Sequence, residues 1–217
     1  MKNKKNKTKQ NQTARIILYL LFFGLLLFEL LNYFKILNYE VTFTWSGLII
    51  TIIMIFIGLQ AVIYYTKHNF GISIANRTLL VVVIGIYLDV ISDMFDLYDR
   101  FIWFDQAVHF NAGILITIIL FWFISRIEAT NKIYLPQKLK YLFIFCANLT
   151  LGVTYEMEEY LEDYFTGSNR LGDGPDTAND LLMAGTAGII TLIIIHFIAK
   201  KIKNKKKCWF LEYLLPY

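Results

Sequence analysis

The sequence predicts an all-α, polytopic membrane protein, a bundle of six transmembrane helices with both termini in the cytoplasm. Hydrophobic residues make up 57% of its 217 residues, and the mean hydropathy is +0.50. They fall in blocks of about 18 residues or more, the length that a helix needs to cross the hydrocarbon core of a bilayer. The net charge is +4, but the basic residues flank alternate blocks, which is typical of membrane orientation rather than of nucleic-acid binding.

The apolar blocks define six predicted spans, which are residues 16–34, 47–65, 79–93, 107–125, 139–155 and 181–199. The first block follows a basic segment, as in a secretory signal, but it is long and has no small-residue cleavage site, so we expect it to be retained. The apolar part of the third span is short, because it is interrupted by the acid Asp89. This span is predicted to continue as a helix past the membrane surface, because no helix breaker follows.

The basic residues also predict the orientation of the spans. They are frequent before the first span, between the second and third, between the fourth and fifth, and after the sixth, so these segments are predicted to be cytoplasmic. The opposite loops contain only Lys35, Arg100 and Arg170 as basic residues. The predicted domains are a disordered basic cytoplasmic tail at 1–15, a transmembrane domain at 16–199 and a basic cytoplasmic tail at 200–217.

One histidine and several acids gather where four predicted spans reach the outer surface. Residues three or four positions apart share a helix face, which pairs Asp105 with His109 and Glu156 with Glu159. Ionisable residues at membrane depth are costly and usually serve a site. The candidate catalytic residues are therefore His109, Asp105, Glu156, Glu159, Asp176 and Asp180.

These residue types are compatible with two kinds of chemistry. His109 can act as a general acid or base among carboxylates. Alternatively, a divalent cation can be held by His109, Glu156, Glu159 and Asp180. A ligand set rich in oxygen favours magnesium, manganese or calcium and leaves zinc open. A bound cation would hold a phosphate or activate a water molecule.

The remaining acids are predicted to have ordinary structural roles. Asp176 or Thr177 is expected to cap the sixth span. Glu29, inside the first span, is expected to lie near the outer interface or to find a partner. The acids predicted to be solvated are Asp96, Asp99, Glu158, Glu162 and Asp163.

Three segments carry a resemblance to a known family: DQAVHFNAG from Asp105, YEMEEY from Tyr155 and GDGPDTANDLLMAGTAG from Gly172. Together they resemble the bacterial YjdF family of multi-pass membrane proteins and, more distantly, VanZ-like proteins, over roughly the C-terminal two-thirds of the chain. The resemblance implies a bacterial inner or plasma membrane protein, and its VanZ-like part implies action on lipid or envelope substrates.

Three functions follow as hypotheses, with membrane lipids as the expected partners. The first is an enzyme that hydrolyses or transfers a phospholipid head group or a lipid-linked envelope precursor. His109 would be its acid or base, Asp105 and Asp176 would position their neighbours, and the other candidates would bind a cation or orient the nucleophile. The second is a protein that binds or transports divalent cations, although polar residues are scarce in the spans. The third is a non-catalytic membrane scaffold.

Overall fold

The computed structural model describes residues 2–131 and 133–204, and the regular structure within these ranges is entirely helical. The predicted all-α class is therefore confirmed. Residues 205–217, most of the predicted C-terminal tail, lie outside the described residues. In chain order the helices are α1 (Lys2–Tyr33), α2 (Trp45–Phe70), α3 (Asn76–Met94), α4 (Leu97–Arg100), α5 (Phe104–Asn131), α6 (Gln137–Thr166) and α7 (Gly174–Asn204).

Four of these helices contain stretches that are long and apolar enough to cross a membrane, which supports a multi-pass protein. The stretches are Asn11–Tyr33, Trp45–Phe70, Phe104–Asn131 and Gly174–Lys200. They match the first, second, fourth and sixth predicted spans. The other two spans fall on α3 and α6, in which charged residues interrupt the apolar sequence. The count of six spans stays a prediction.

The chain divides into two compact units, and the first contains Met1–Phe101 with Thr166–Ser168. Helices α1, α2 and α3 pack around one apolar core in this unit. The core includes Leu18, Phe22, Leu25, Leu48, Ile52, Val83, Ile86 and Val90. Thr44 caps α2 by accepting a hydrogen bond from the Gly47 N–H at 3.0 Å. Gly71 ends α2 in the left-handed conformation, with φ of 63°.

The second unit contains Ile102–Phe165 with Asn169–Tyr217, and it depends on a close approach of α5 and α7. A Cβ atom on Gly113 of α5 would lie 2.6 Å from the carbonyl oxygen of Ala184 in α7. Only glycine leaves room for this approach. Helix α6 joins the pair through the buried Asn148, whose amide donates to the same carbonyl oxygen at 3.0 Å.

The end of this unit formed by the C-terminus of α5 and the N-terminus of α6 is held by an ion pair. Lys140 of α6 lies 2.6 Å from a carboxylate oxygen of Glu128 in α5 and donates to the Ser125 hydroxyl at the same distance. The opposite end of the unit brings together the start of α5, the C-terminal part of α6 and the start of α7. The predicted site residues lie at that end.

Candidate functional site

Helix α5 places the histidine of the site. His109 follows Asp105 by one helical turn, so the two side chains share a face. The Nε2 atom of His109 lies 3.6 Å from an Asp105 carboxylate oxygen. His109 is only 7% exposed, because the close packing of α5 on α7 begins one turn further along at Gly113.

Asp180 completes a compact group of three potential metal ligands. Its helix, α7, is held against α5 by the contact between Gly113 and Ala184, and Asp180 lies one turn before Ala184. One ligand atom each from Asp105, His109 and Asp180 lies within 4.8 Å of the others. Asp180 is buried, and its Oδ1 atom has no hydrogen-bond partner among the described residues.

Glu156 of α6 faces the other nitrogen of the imidazole ring. Its Oε1 atom lies 3.8 Å from His109 Nδ1. Both of its carboxylate oxygens are buried and lack a hydrogen-bond partner among the described residues. Burial and, to a smaller extent, the negative charges of Asp105 and Asp176 raise the pKa of Glu156 to about 7. Glu156 therefore tends to keep a proton unless a positive charge arrives nearby.

Glu159, one turn later in α6, has a different partner. The buried Arg170 guanidinium donates to Glu159 at 3.1 Å and to Glu162 at 3.4 Å. It also donates to the Tyr155 hydroxyl at 2.6 Å. Burial raises the pKa of Glu159 and Arg170 opposes this effect, while the neighbouring carboxyl group of Glu156 adds to it. The Arg170 guanidinium thus compensates only part of the negative charge of the surrounding carboxyl groups.

The loop between α6 and α7 holds Arg170 in place. The Asp163 carboxylate accepts hydrogen bonds from the backbone N–H groups of Arg170 at 2.8 Å and Leu171 at 2.9 Å. Gly172 has a positive φ of 68°, and a Cβ atom there would collide with the Asp176 carboxylate. Asp176 therefore lies against the loop, at the edge of the group, and its negative charge acts on Glu156.

Two predictions about the surrounding acids are wrong. Asp173, rather than Asp176 or Thr177, caps α7: its carboxylate accepts from the Asp176 N–H at 3.0 Å, because the helix begins at Gly174. Glu158 and Glu162 are buried rather than solvated. The polar side of α6 faces inward here, and its apolar residues face outward.

The structure thus brings Asp105, His109 and Asp180 together, with Glu156 behind the imidazole ring. It places Glu159 against Arg170, and Asp176 near the loop. Arg170 and Tyr155 are not among the residues predicted for the site. Tyr155 also lies edge-on to the His109 ring, with centroids 5.9 Å apart. The signal for Arg170 was present, because it is the one basic residue of an acidic loop.

Residues 15–201 match the family described as a predicted membrane protein, DUF2238. The chain belongs to this family. The match covers the whole of the predicted transmembrane domain and most of both compact units. Comparisons with curated proteins and with solved structures find no match. Membership of DUF2238 and the apolar helices together identify a multi-pass membrane protein, and the resemblance to YjdF-like and VanZ-like proteins stays a prediction.

The geometry of this DUF2238 site determines what it can do chemically. Two carboxylates and one imidazole nitrogen that converge from two helices are suited to a divalent cation. Glu156 lies where a carboxylate commonly orients a metal-bound histidine through its second nitrogen. A cation at this place would also offset the negative charge that Arg170 leaves uncompensated.

Proposed function

We propose that this protein is a metal-assisted membrane enzyme that hydrolyses or transfers a phospholipid head group or a lipid-linked envelope precursor. Asp105, His109 and Asp180 hold a divalent cation. The observation that carries the proposal is the convergence of their ligand atoms within 4.8 Å. The burial of His109 and Asp180 supports a specific site rather than a solvated acidic surface.

The surrounding residues have distinct proposed roles. With a cation present, Glu156 would accept a hydrogen bond from the Nδ1–H group of His109, which would leave Nε2 as the nitrogen that faces the cation. Glu159 contributes through its ion pair with Arg170, which fixes the end of α6 to the loop. Asp176 positions the loop next to the cation. Compared with the ligand set predicted from the sequence, the residues that would hold the cation include Asp105 and leave out Glu156 and Glu159.

The reaction follows from the charge of the cation. A divalent cation held by Asp105, His109 and Asp180 would supply the chemistry that lowers the pKa of a water molecule, so that hydroxide could form the new bond to phosphorus. The ester bond to the leaving oxygen would break, and that oxygen would take up the proton that the water molecule releases.

A lipid substrate is supported by the outward side of α6 at the level of the site. Met157, Tyr160, Leu161 and Tyr164 are all exposed there, while Glu156 and Glu159 lie on the opposite, buried side. Exposed apolar and aromatic residues beside a polar site are typical of the membrane interface. The proposed cation site would therefore lie at the depth of the lipid head groups, within reach of their phosphates.

The topology belongs to the same proposal: six spans, both termini in the cytoplasm and the site at the outer face of a bacterial plasma membrane. The loop that contains Ser168 would then face outward. A single cysteine at Ser168, in a variant without the native cysteines, should react with a membrane-impermeant maleimide in intact cells. A single cysteine at Asn69, in a loop predicted to be cytoplasmic, should react only after lysis; the reverse pattern would contradict the orientation.

The test of function is a lipid analysis of membranes that contain the protein at matched expression. Wild type, His109→Ala and the control Asp99→Asn are compared with Mg²⁺ or Mn²⁺ present and after chelation. Asp99 is exposed and lies in the other unit. We expect a lipid species to be gained or lost with wild type and the control but not with His109→Ala. Identical lipids in all samples would contradict an enzyme.

A second function, transport of divalent cations, is favoured by one observation. Thr117 of α5 and Asn148 of α6 are fully buried at the α5–α7 contact, and each has a side-chain oxygen without a hydrogen-bond partner among the described residues. These oxygens would serve as ligands for an ion deeper in the helix bundle than the candidate site. Ion flux into liposomes that is lost in Glu156→Gln would favour transport over catalysis.

A further inference from the structure

The first unit contains a buried carboxyl group, that of Glu29, that pairs with no basic side chain among the described residues. Glu29 lies in α1 within the apolar stretch Asn11–Tyr33, and none of its surface is exposed. Neither carboxylate oxygen has a hydrogen-bond partner among the described residues. An ionised carboxylate in such surroundings is very costly, so it must be neutralised by a proton or by a bound cation.

Acids and phenols of α3 and α4 lie at the end of the first unit that contains Glu29. Asp89 of α3 acts electrostatically on Glu29, and Glu29 acts on Tyr87 of the same helix. Tyr98 of α4 donates to the Asp89 carboxylate at 3.0 Å. Asp93 of α3 is also buried and accepts from a backbone N–H at 3.2 Å.

Within the part of the chain that the structure describes, no basic side chain forms an ion pair with Glu29. Lys35, just beyond α1, is exposed, and Arg100 lies 3.6 Å from Asp96 at the surface. The buried polar residue that α2 contributes at this end is Thr51, which has no charge. The end of the first unit near Glu29 therefore holds negative charge or protons.

We propose that Glu29 is a proton-binding group in the first unit, with Asp89 as its acidic neighbour, separate from the proposed cation site of the second. A metal ion fits less well, because it needs several converging ligand atoms. Among the described residues, the group of acids and histidines close enough for that is Asp105, His109 and Asp180. A proton needs only one carboxyl oxygen. A buried membrane carboxyl of this kind is suited to taking up and releasing protons.

Labelling with dicyclohexylcarbodiimide tests the proposal on the purified full chain in detergent. A protonated carboxyl group in apolar surroundings adds through its oxygen to the carbodiimide carbon, its proton passes to a carbodiimide nitrogen, and the adduct rearranges to a stable N-acylurea. Peptide mass spectrometry locates the adduct. The samples are wild type over a pH series, Glu29→Gln, Asp89→Asn and the control Glu40→Gln, which changes an exposed glutamate.

We expect a label on Glu29 at neutral pH that disappears in alkali, is absent in Glu29→Gln and is unchanged in Glu40→Gln. Asp89→Asn should change the pH at which labelling is lost, because it removes a charge that interacts with Glu29. Absence of the label at every pH in monodisperse wild type would overturn the proposal. Protection of Glu29 from labelling by Na⁺ or Mg²⁺ at constant pH would show that the site binds a metal ion instead of a proton. An unchanged pH profile in Asp89→Asn would show that Asp89 is not part of the site.

Discussion

Gly113→Ala should damage both the stability of the second unit and the cation site proposed for it. The added Cβ atom would lie 2.6 Å from the Ala184 carbonyl oxygen and 3.0 Å from the Ala187 Cβ atom, whereas ordinary contact begins near 3.4 Å. Helix α7 would have to move away from α5 by about 0.8 Å. Overpacking of this kind costs about 1–3 kcal/mol.

The same movement would separate His109 from Asp180, since each lies one turn from the contact between α5 and α7. We therefore expect the affinity for Mn²⁺ to fall about tenfold or more, in the range of changes that reorient metal ligands. Thermal unfolding followed by tryptophan fluorescence in detergent, and calorimetric titration with Mn²⁺, measure the two effects. The melting temperature should fall by about 2–4 °C for each kcal/mol lost.

Gly152→Ala is the matched control, because it adds the same methyl group to α6 in the same unit. Its Cβ atom would lie 3.5 Å from the Leu181 Cδ2 atom and 3.9 Å from the Ala184 Cβ atom, which is ordinary contact. This variant should keep its stability and Mn²⁺ affinity. If Gly113→Ala behaved like Gly152→Ala in both measurements, the close approach of α5 and α7 would not determine the site.

Three further predictions concern charge and capping. Arg170→Gln leaves Glu159 and Glu162 without their cation and should cost about 3–5 kcal/mol of unfolding free energy; an unchanged melting temperature would refute the ion pair. Burial raises the pKa of Glu156 from 4.5 to about 7, so its contribution to stability is complete below pH 4.5 and is lost as the pH rises through 7. Chelated wild type should therefore lose stability over this interval more steeply than Glu156→Gln, and equal pH profiles would count against it. Asp173→Ala removes the cap of α7 and should cost about 1 kcal/mol, seen as a small fall in melting temperature, and no fall would argue against the cap.

The helical class of the fold and the region of the site could be predicted from the sequence for simple physical reasons. A bilayer demands long apolar helices, so four of the predicted spans reappear as apolar stretches of the described helices. The spacing of Asp105 and His109 fixes their common face before any tertiary contact is known. These features depend on local sequence alone.

The remaining features depend on how the helices approach one another. Asp180 joins Asp105 and His109 because Gly113 lets α7 come close, and Glu159 turns to Arg170 because the loop returns over α6. Glu158 and Glu162 are buried for a related reason, since the polar side of α6 faces inward. Charge alone predicts solvation for such residues, and only the packing reverses that expectation.

Pulsed electron paramagnetic resonance of Mn²⁺ bound to the purified protein tests the central claim most directly. We predict one bound Mn²⁺ per chain with coupling to a single histidine nitrogen. This coupling should disappear in His109→Ala and persist in the control Asp99→Asn. Absence of bound Mn²⁺ in wild type, or bound Mn²⁺ without nitrogen coupling, would contradict a cation site formed by Asp105, His109 and Asp180.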